Sequence, residues 1–274
     1  MKSILKSVSI IFLLSLFLVS FSSCKPRPLA IEKVVNISID YMDTEMMKQL
    51  ENYVPPAEKT FTFRGREYKL EYKWPEFNPY EHRTYYEYWE MDGLKKGVFT
   101  FDMNGKLGRA YLHSPTTFEK KVTADYCIPQ AKKIFSEYLD DITQYRITTS
   151  EYTGGYIVKF TKYVDDIETV DCARIGFDYD GEFISLNFNS LNKIPADLDT
   201  NLFDMKAIKK ALFDQVKKDF SGDGDEPTND QISIKEYSLV RGYDGQYGFH
   251  YIVRVYEHTL KNYLVFLENR FPLS

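Results

Sequence analysis

One seven-residue pattern occurs twice in this chain and dictates what can surround it. Phe101-Asp102-Met103-Asn104-Gly105-Lys106-Leu107 and Phe177-Asp178-Tyr179-Asp180-Gly181-Glu182-Phe183 share one order: aromatic, Asp, any residue, Asn or Asp, Gly, any residue, apolar. Asn-Gly and Asp-Gly mark tight hairpins, because Gly adopts the positive φ of the turn without strain and Asn and Asp tolerate it. Each copy therefore predicts a strand, a turn and a return strand, with residues 97–101 and 170–177 entering and residues 183–188 leaving the second turn.

The surroundings repeat as well. Ala131, Ile134, Phe135, Tyr138 and Leu139 recur at helical spacing, with Pro129 placed in the first turn. Ile208, Ala211, Leu212, Val216 and Phe220 form a second stripe, opened by Asp204 as N-cap. Met46, Met47 and Leu50 mark an earlier helix over residues 43–52, ended by Pro55-Pro56. Strand patterns follow each helix. The first set covers residues 60–63 and 68–72 around Gly65, a break at Pro75, Asn78 and Pro79, and residues 85–89. The second set adds residues 145–150 and 156–163. The third covers 232–240, 249–256 and 262–267, and its closing Glu268-Asn269-Arg270 lacks the Gly. With 22 Tyr and 20 Phe the composition also favours sheet. The expected fold is α+β, in repeated units of one helix packed on an antiparallel β-meander. The units are residues 37–115, a β-rich N-terminal unit, then 116–195 and 196–274.

Residues 131–139, 156–160 and 177–183, with 204–220 and 251–256, make the chain resemble the PepSY-like repeat domains of bacterial envelope proteins. In that family a helix precedes a small sheet, and a Phe-Asp-x-Asp/Asn-Gly hairpin lies near its end. The resemblance implies a role in restraining or regulating extracytoplasmic peptidases.

The N-terminus supplies an address. Lys2 and Lys6 precede an apolar run over residues 10–19, residues 20–23 are mostly small, and Cys24 follows. This is the layout of an export signal, and it resembles the bacterial lipoprotein box, with Phe21 where that box usually has Leu. The resemblance implies removal of residues 1–23 and attachment of a lipid to the Cys24 sulfur. The protein would then sit on the extracytoplasmic side of the bacterial cell membrane, on a tether over residues 24–36. An uncleaved anchor and plain secretion are the alternatives. The strongly apolar stretch is about 12 residues, short of the roughly 20 that span a bilayer.

Without the signal the chain carries 33 basic and 40 acidic residues, a net charge of −7. That argues against nucleic acid as a partner, and against docking on anionic lipid by bulk charge. Cys127 and Cys172 either form a disulfide, which export permits, or remain two buried thiols. Catalytic and metal motifs are missing from the sequence: it has no Gly-x-Ser-x-Gly, no phosphate-binding loop, no Cys-x-x-Cys and no His-Glu-x-x-His among His82, His113, His250 and His258. Asp223 and Asp225 open like a calcium loop, but Pro227, Thr228 and Ile234 stand where ligands and Gly belong. Asp102, Asn104, Asp178, Asp180 and Glu182 suit turns better than calcium. The glycine-rich residues 242–248 read as a hairpin tip. No cofactor or metal is expected. In the aromatic strand over residues 85–89, alternation sets Tyr85 and Trp89 against Tyr86 and Tyr88. Tyr86, Tyr88 and Trp89 are therefore the candidate partner-binding residues. The expected function is non-enzymatic binding of an envelope protein or peptide, with a cell-surface carbohydrate as the alternative and a hydrolase a more distant one. Cys24→Ala should move the protein out of the membrane fraction and change its electrophoretic mobility; an unchanged distribution contradicts lipidation.

Overall fold

The computed structural model describes residues 29–91, 97–113, 119–138, 141–189, 194–221, 226–242 and 245–268. The signal and Cys24 therefore lie outside the described residues, as do Leu139, Asp223, Asp225, Asn269 and Arg270. Within them the chain is mixed α+β, with three helices against one large sheet. The order along the chain is β1 (Ile31–Asn36), α1 (Ile39–Leu50), β2 (Glu58–Phe63), β3 (Arg66–Asn78), β4 (Arg83–Glu90), β5 (Gly97–Asp102) and β6 (Leu107–Leu112). Then come α2 (Ala124–Ser136), β7 (Tyr145–Tyr152), β8 (Gly155–Val164), β9 (Ile167–Asp178), β10 (Phe183–Asn189), α3 (Met205–Phe220), β11 (Ile232–Arg241), β12 (Tyr247–Val255) and β13 (Thr259–Leu267).

Across the sheet the order is β1-β13-β12-β11-β9-β10-β6-β5-β4-β3-β2, with β8 also on β9 and β7 beyond it. Neighbours are antiparallel except β9 and β11, which meet in parallel at Thr169 and Leu239. The two repeated turns have one geometry. Asp102 Oδ1 accepts from the backbone N–H of Asn104 (2.9 Å) and Lys106 (2.8 Å), and Asp178 Oδ1 from those of Asp180 (3.0 Å) and Glu182 (2.8 Å). Gly105 (φ 78°) and Gly181 (φ 83°) occupy the left-handed position that the pattern demanded. These carboxylates organise backbone, as a turn requires.

All three helices pack on one face. On α2, Cys127, Ala131, Ile134 and Phe135 are buried, and Phe135 stacks on Phe160 of β8 with centroids 4.2 Å apart. On α3, Ile208, Leu212 and Val216 are buried in a cluster with Phe249, Tyr251 and Val253 of β12. The Asp204 side chain accepts from Ala207 N–H at 3.0 Å, as an N-cap should. Helix α1 buries no residue fully, and the Tyr53 ring just after it lies 4.8 Å from that of Tyr86. Over Phe99 and Phe101, strand β2 supplies the cover: Phe61 sets its edge on both rings, and the Lys59 ammonium lies 3.6 Å from the Phe101 centroid. Burial lowers the Lys59 pKa.

Three expectations are corrected. Residues 31–36, read as part of a tether, are strand β1 along β13. Val34 and Val35 pack into clusters on opposite faces of the sheet, so the segment is held from both sides. Pro129 lies inside α2 rather than in its first turn, because the helix starts at Ala124. Pro75 does not end β3: a bulge follows Tyr72, and β2 pairs only with Arg66 to Glu71, so at Pro75 the strand has one free edge and tolerates the missing N–H. Phe160→Ala should cost about 3–5 kcal/mol in urea denaturation, whereas Met47→Ala, on the exposed side of α1, should change stability by less than about 0.5 kcal/mol.

Candidate functional site

Strands that bury odd-numbered side chains under the helices must turn even-numbered ones outward. On β9, Ala173, Ile175 and Phe177 belong to the core, while Glu168, Val170, Cys172 and Arg174 face away from the helices. On β12, Phe249, Tyr251 and Val253 are core, and His250 and Ile252 face away. This helix-free face holds a cleft of about 370 Å³, within the range of small-ligand sites. It lies where β9 passes from β10 to β11, and the turn after β3, Asn78-Pro79-Tyr80, forms one wall.

Strand registers build its floor. Thr100, Arg109, Asn187, Arg174 and Lys159 line it as successive cross-strand neighbours on β5, β6, β10, β9 and β8. Two of the cations are tied: Arg109 to Glu76 at 2.8 Å and Lys159 to Glu168 at 2.6 Å. Arg174 and Asn187 are exposed. At the other end the Tyr80 hydroxyl lies 2.8 Å from Nε2 and 3.1 Å from Nδ1 of His250, and Asn262 Oδ1 lies 3.2 Å from Nε2. Burial lowers the His250 pKa from 6.5 to about 4, so the ring is neutral near pH 7. Burial also raises the Cys172 thiol and the Tyr80 phenol, the latter helped by Glu236 and opposed by Arg174.

The sequence-predicted residues fall elsewhere. Tyr86 and Tyr88 are each 2 % exposed, part of the aromatic core, and cannot anchor a partner. Burial pushes both phenols up to about 12. Trp89 does face outward. It is half-buried, 5.1 Å from the more exposed Trp74, and its Nε1–H donates to Glu87 at 2.7 Å. The Cys127–Cys172 disulfide is also corrected. Both cysteines are free, Cys127 in the core under α2 and Cys172 in the cleft on the opposite face of β9. His82 pairs with Glu45 at 2.9 Å. Among the described residues, no group of three His, Cys, Asp or Glu is placed to hold a metal ion. None has a helix long and apolar enough to cross a membrane. Sequence reasoning missed Tyr80, Arg109, Lys159, Arg174 and Glu236. Their one signal was polar residues alternating with core residues within apolar strands.

No family model matches the chain, and no curated protein does. It is weakly similar in structure to the C-terminal domain of Bacillus megaterium YpeB. That alignment covers 84 % of this chain and 92 % of the other, at 10 % identity and a TM-score of 0.29. An uncharacterized Eubacterium rectale protein aligns over 87 % of this chain and 83 % of its own, at 12 % identity and a TM-score of 0.29.

His250 yields a pH dependence. The unfolded chain takes up a proton near pH 6.5 that the folded state refuses until about pH 4. Stability is therefore full above pH 6.5 and falls by about 3 kcal/mol towards pH 4. His250→Gln should shrink the difference in urea-denaturation stability between pH 7.5 and 4.5; an unchanged difference contradicts the buried neutral ring.

Proposed function

We propose that this protein is a lipid-anchored, extracytoplasmic binding protein of the bacterial cell membrane, which takes a protein or peptide partner on the helix-free face and performs no chemistry itself. The cleft carries this reading. A general acid or base works best with a pKa near the working pH. Here His250 is driven down to about 4, and Cys172 and Tyr80 are driven up. Groups tuned away from neutral titration suit recognition better than turnover. Regulation of envelope peptidases is the role that the PepSY-like resemblance suggests, by analogy alone. The finer architecture belongs to the same proposal: repeated helix-plus-meander units over residues 37–115, 116–195 and 196–274, supported by the matching turns at Asp102 and Asp178. Lipid attachment at Cys24 rests on the sequence pattern.

A carbohydrate ligand is the second reading, favoured by the paired Trp74 and Trp89. Trp89 on β4 stands four strands from Arg174 and Trp74 on β3 five, about 19 and 24 Å across the sheet, so the two readings use different patches. A photo-reactive residue at position 187 should crosslink one discrete envelope protein or peptide in cells, and the same residue at position 47, on α1, should not. Equal capture from both positions, or capture from neither, contradicts a partner on this face.

A further inference from the structure

The cleft's ion pairs leave two charges over. Arg109 and Glu76 neutralise each other, as do Lys159 and Glu168. Arg174 on β9 and Glu236 on β11 are exposed and have neither a hydrogen bond nor an ion pair among the described residues. They are opposite in sign and line the same cleft as Tyr80, whose hydroxyl contacts His250. Beside Arg174 its cross-strand neighbour Asn187 is exposed and carries one amide donor pair and one acceptor. That combination complements a peptide group, which also offers one donor and one acceptor.

From this charge pattern we infer that the cleft binds a short free peptide, its terminal carboxylate on Arg174 and its terminal ammonium directed to Glu236. The inference rests on the peptide-binding reading above. An Arg fork is suited to a carboxylate by two parallel hydrogen bonds. A lone anionic ligand would meet repulsion from Glu236, and a lone cationic one from Arg174. A ligand with both charges satisfies both groups, and the cleft is of a size for a few residues rather than a folded domain.

The test offers the full chain, in detergent micelles, a randomised pool of two- to five-residue peptides in four forms: free, N-acetylated, C-amidated and doubly blocked. Retained peptides are counted by mass spectrometry. The free form should be retained at least about ten-fold over the doubly blocked form, as expected for the loss of charge-assisted hydrogen bonds. Arg174→Gln should abolish discrimination between acid and amide, and Glu236→Gln that between amine and acetamide. Both side chains are exposed, so neither change should unfold the protein, which thermal denaturation checks. Equal retention of all four forms overturns the inference and leaves the peptide reading standing. Retention of none, together with a protein crosslinked at position 187, overturns the inference in favour of a folded partner. Retention of none with no crosslink ends both.

Discussion

Strand β9 pairs with β8 from Cys172 to Asp178 and again at Ile167 and Glu168 on one edge, while its other edge changes neighbour, from β11 at Thr169 to β10 from Cys172 onward. That change joins two cores into one sheet. The first core holds Phe135, Phe160 and Phe177 under α2, and the second holds Leu212, Tyr251 and Val265 under α3. Parallel pairing at a single position contributes little by itself. The seam is held by what surrounds it: Val170, Val240 and Leu264 form a small buried cluster with Val35, Ile37, Tyr80 and Phe266 against it. Polar groups add direction, since Asp171 accepts from Ile194 N–H at 3.0 Å and Thr169 donates its hydroxyl to Lys162 O at 2.8 Å.

The cleft is a consequence of this seam. Where β9 leaves β11 for β10, residues of both antiparallel blocks line the opening on the helix-free face. The β3–β4 turn closes part of the gap by sending Tyr80 to His250. A histidine buried that way must stay neutral, which makes the latch firm near neutral pH and weaker in acid. The cations on the floor are a separate outcome of register. They come from strands distant in the chain, and only the alignment of β6, β10, β9 and β8 places them side by side.

Local chemistry was legible in the sequence. Gly105 and Gly181 announced their hairpins because a positive φ is a property of the residue itself. The stripe from Ala131 to Phe135 announced α2, and alternation correctly divided Tyr85 and Trp89 from Tyr86 and Tyr88. Alternation could not tell which side was buried, so two of the three aromatic residues chosen for a partner, Tyr86 and Tyr88, proved to be core, and only Trp89 faces outward. Strand β1 was missed because a six-residue segment shows its purpose only beside β13. The cleft was illegible for the same reason. Tyr80 and His250 lie 170 residues apart, and no pattern in either segment refers to the other.

The cleft keeps its shape only if both sides of the seam open together. Native-state amide hydrogen exchange, followed through a denaturant series, measures this directly. The account predicts that the inner amides of β9 and β12 exchange with one common free energy, equal to that of global unfolding. A lower free energy for β11, β12, β13 and β1 together, with β8 to β10 still protected, would show two independent bodies and contradict a site built across them.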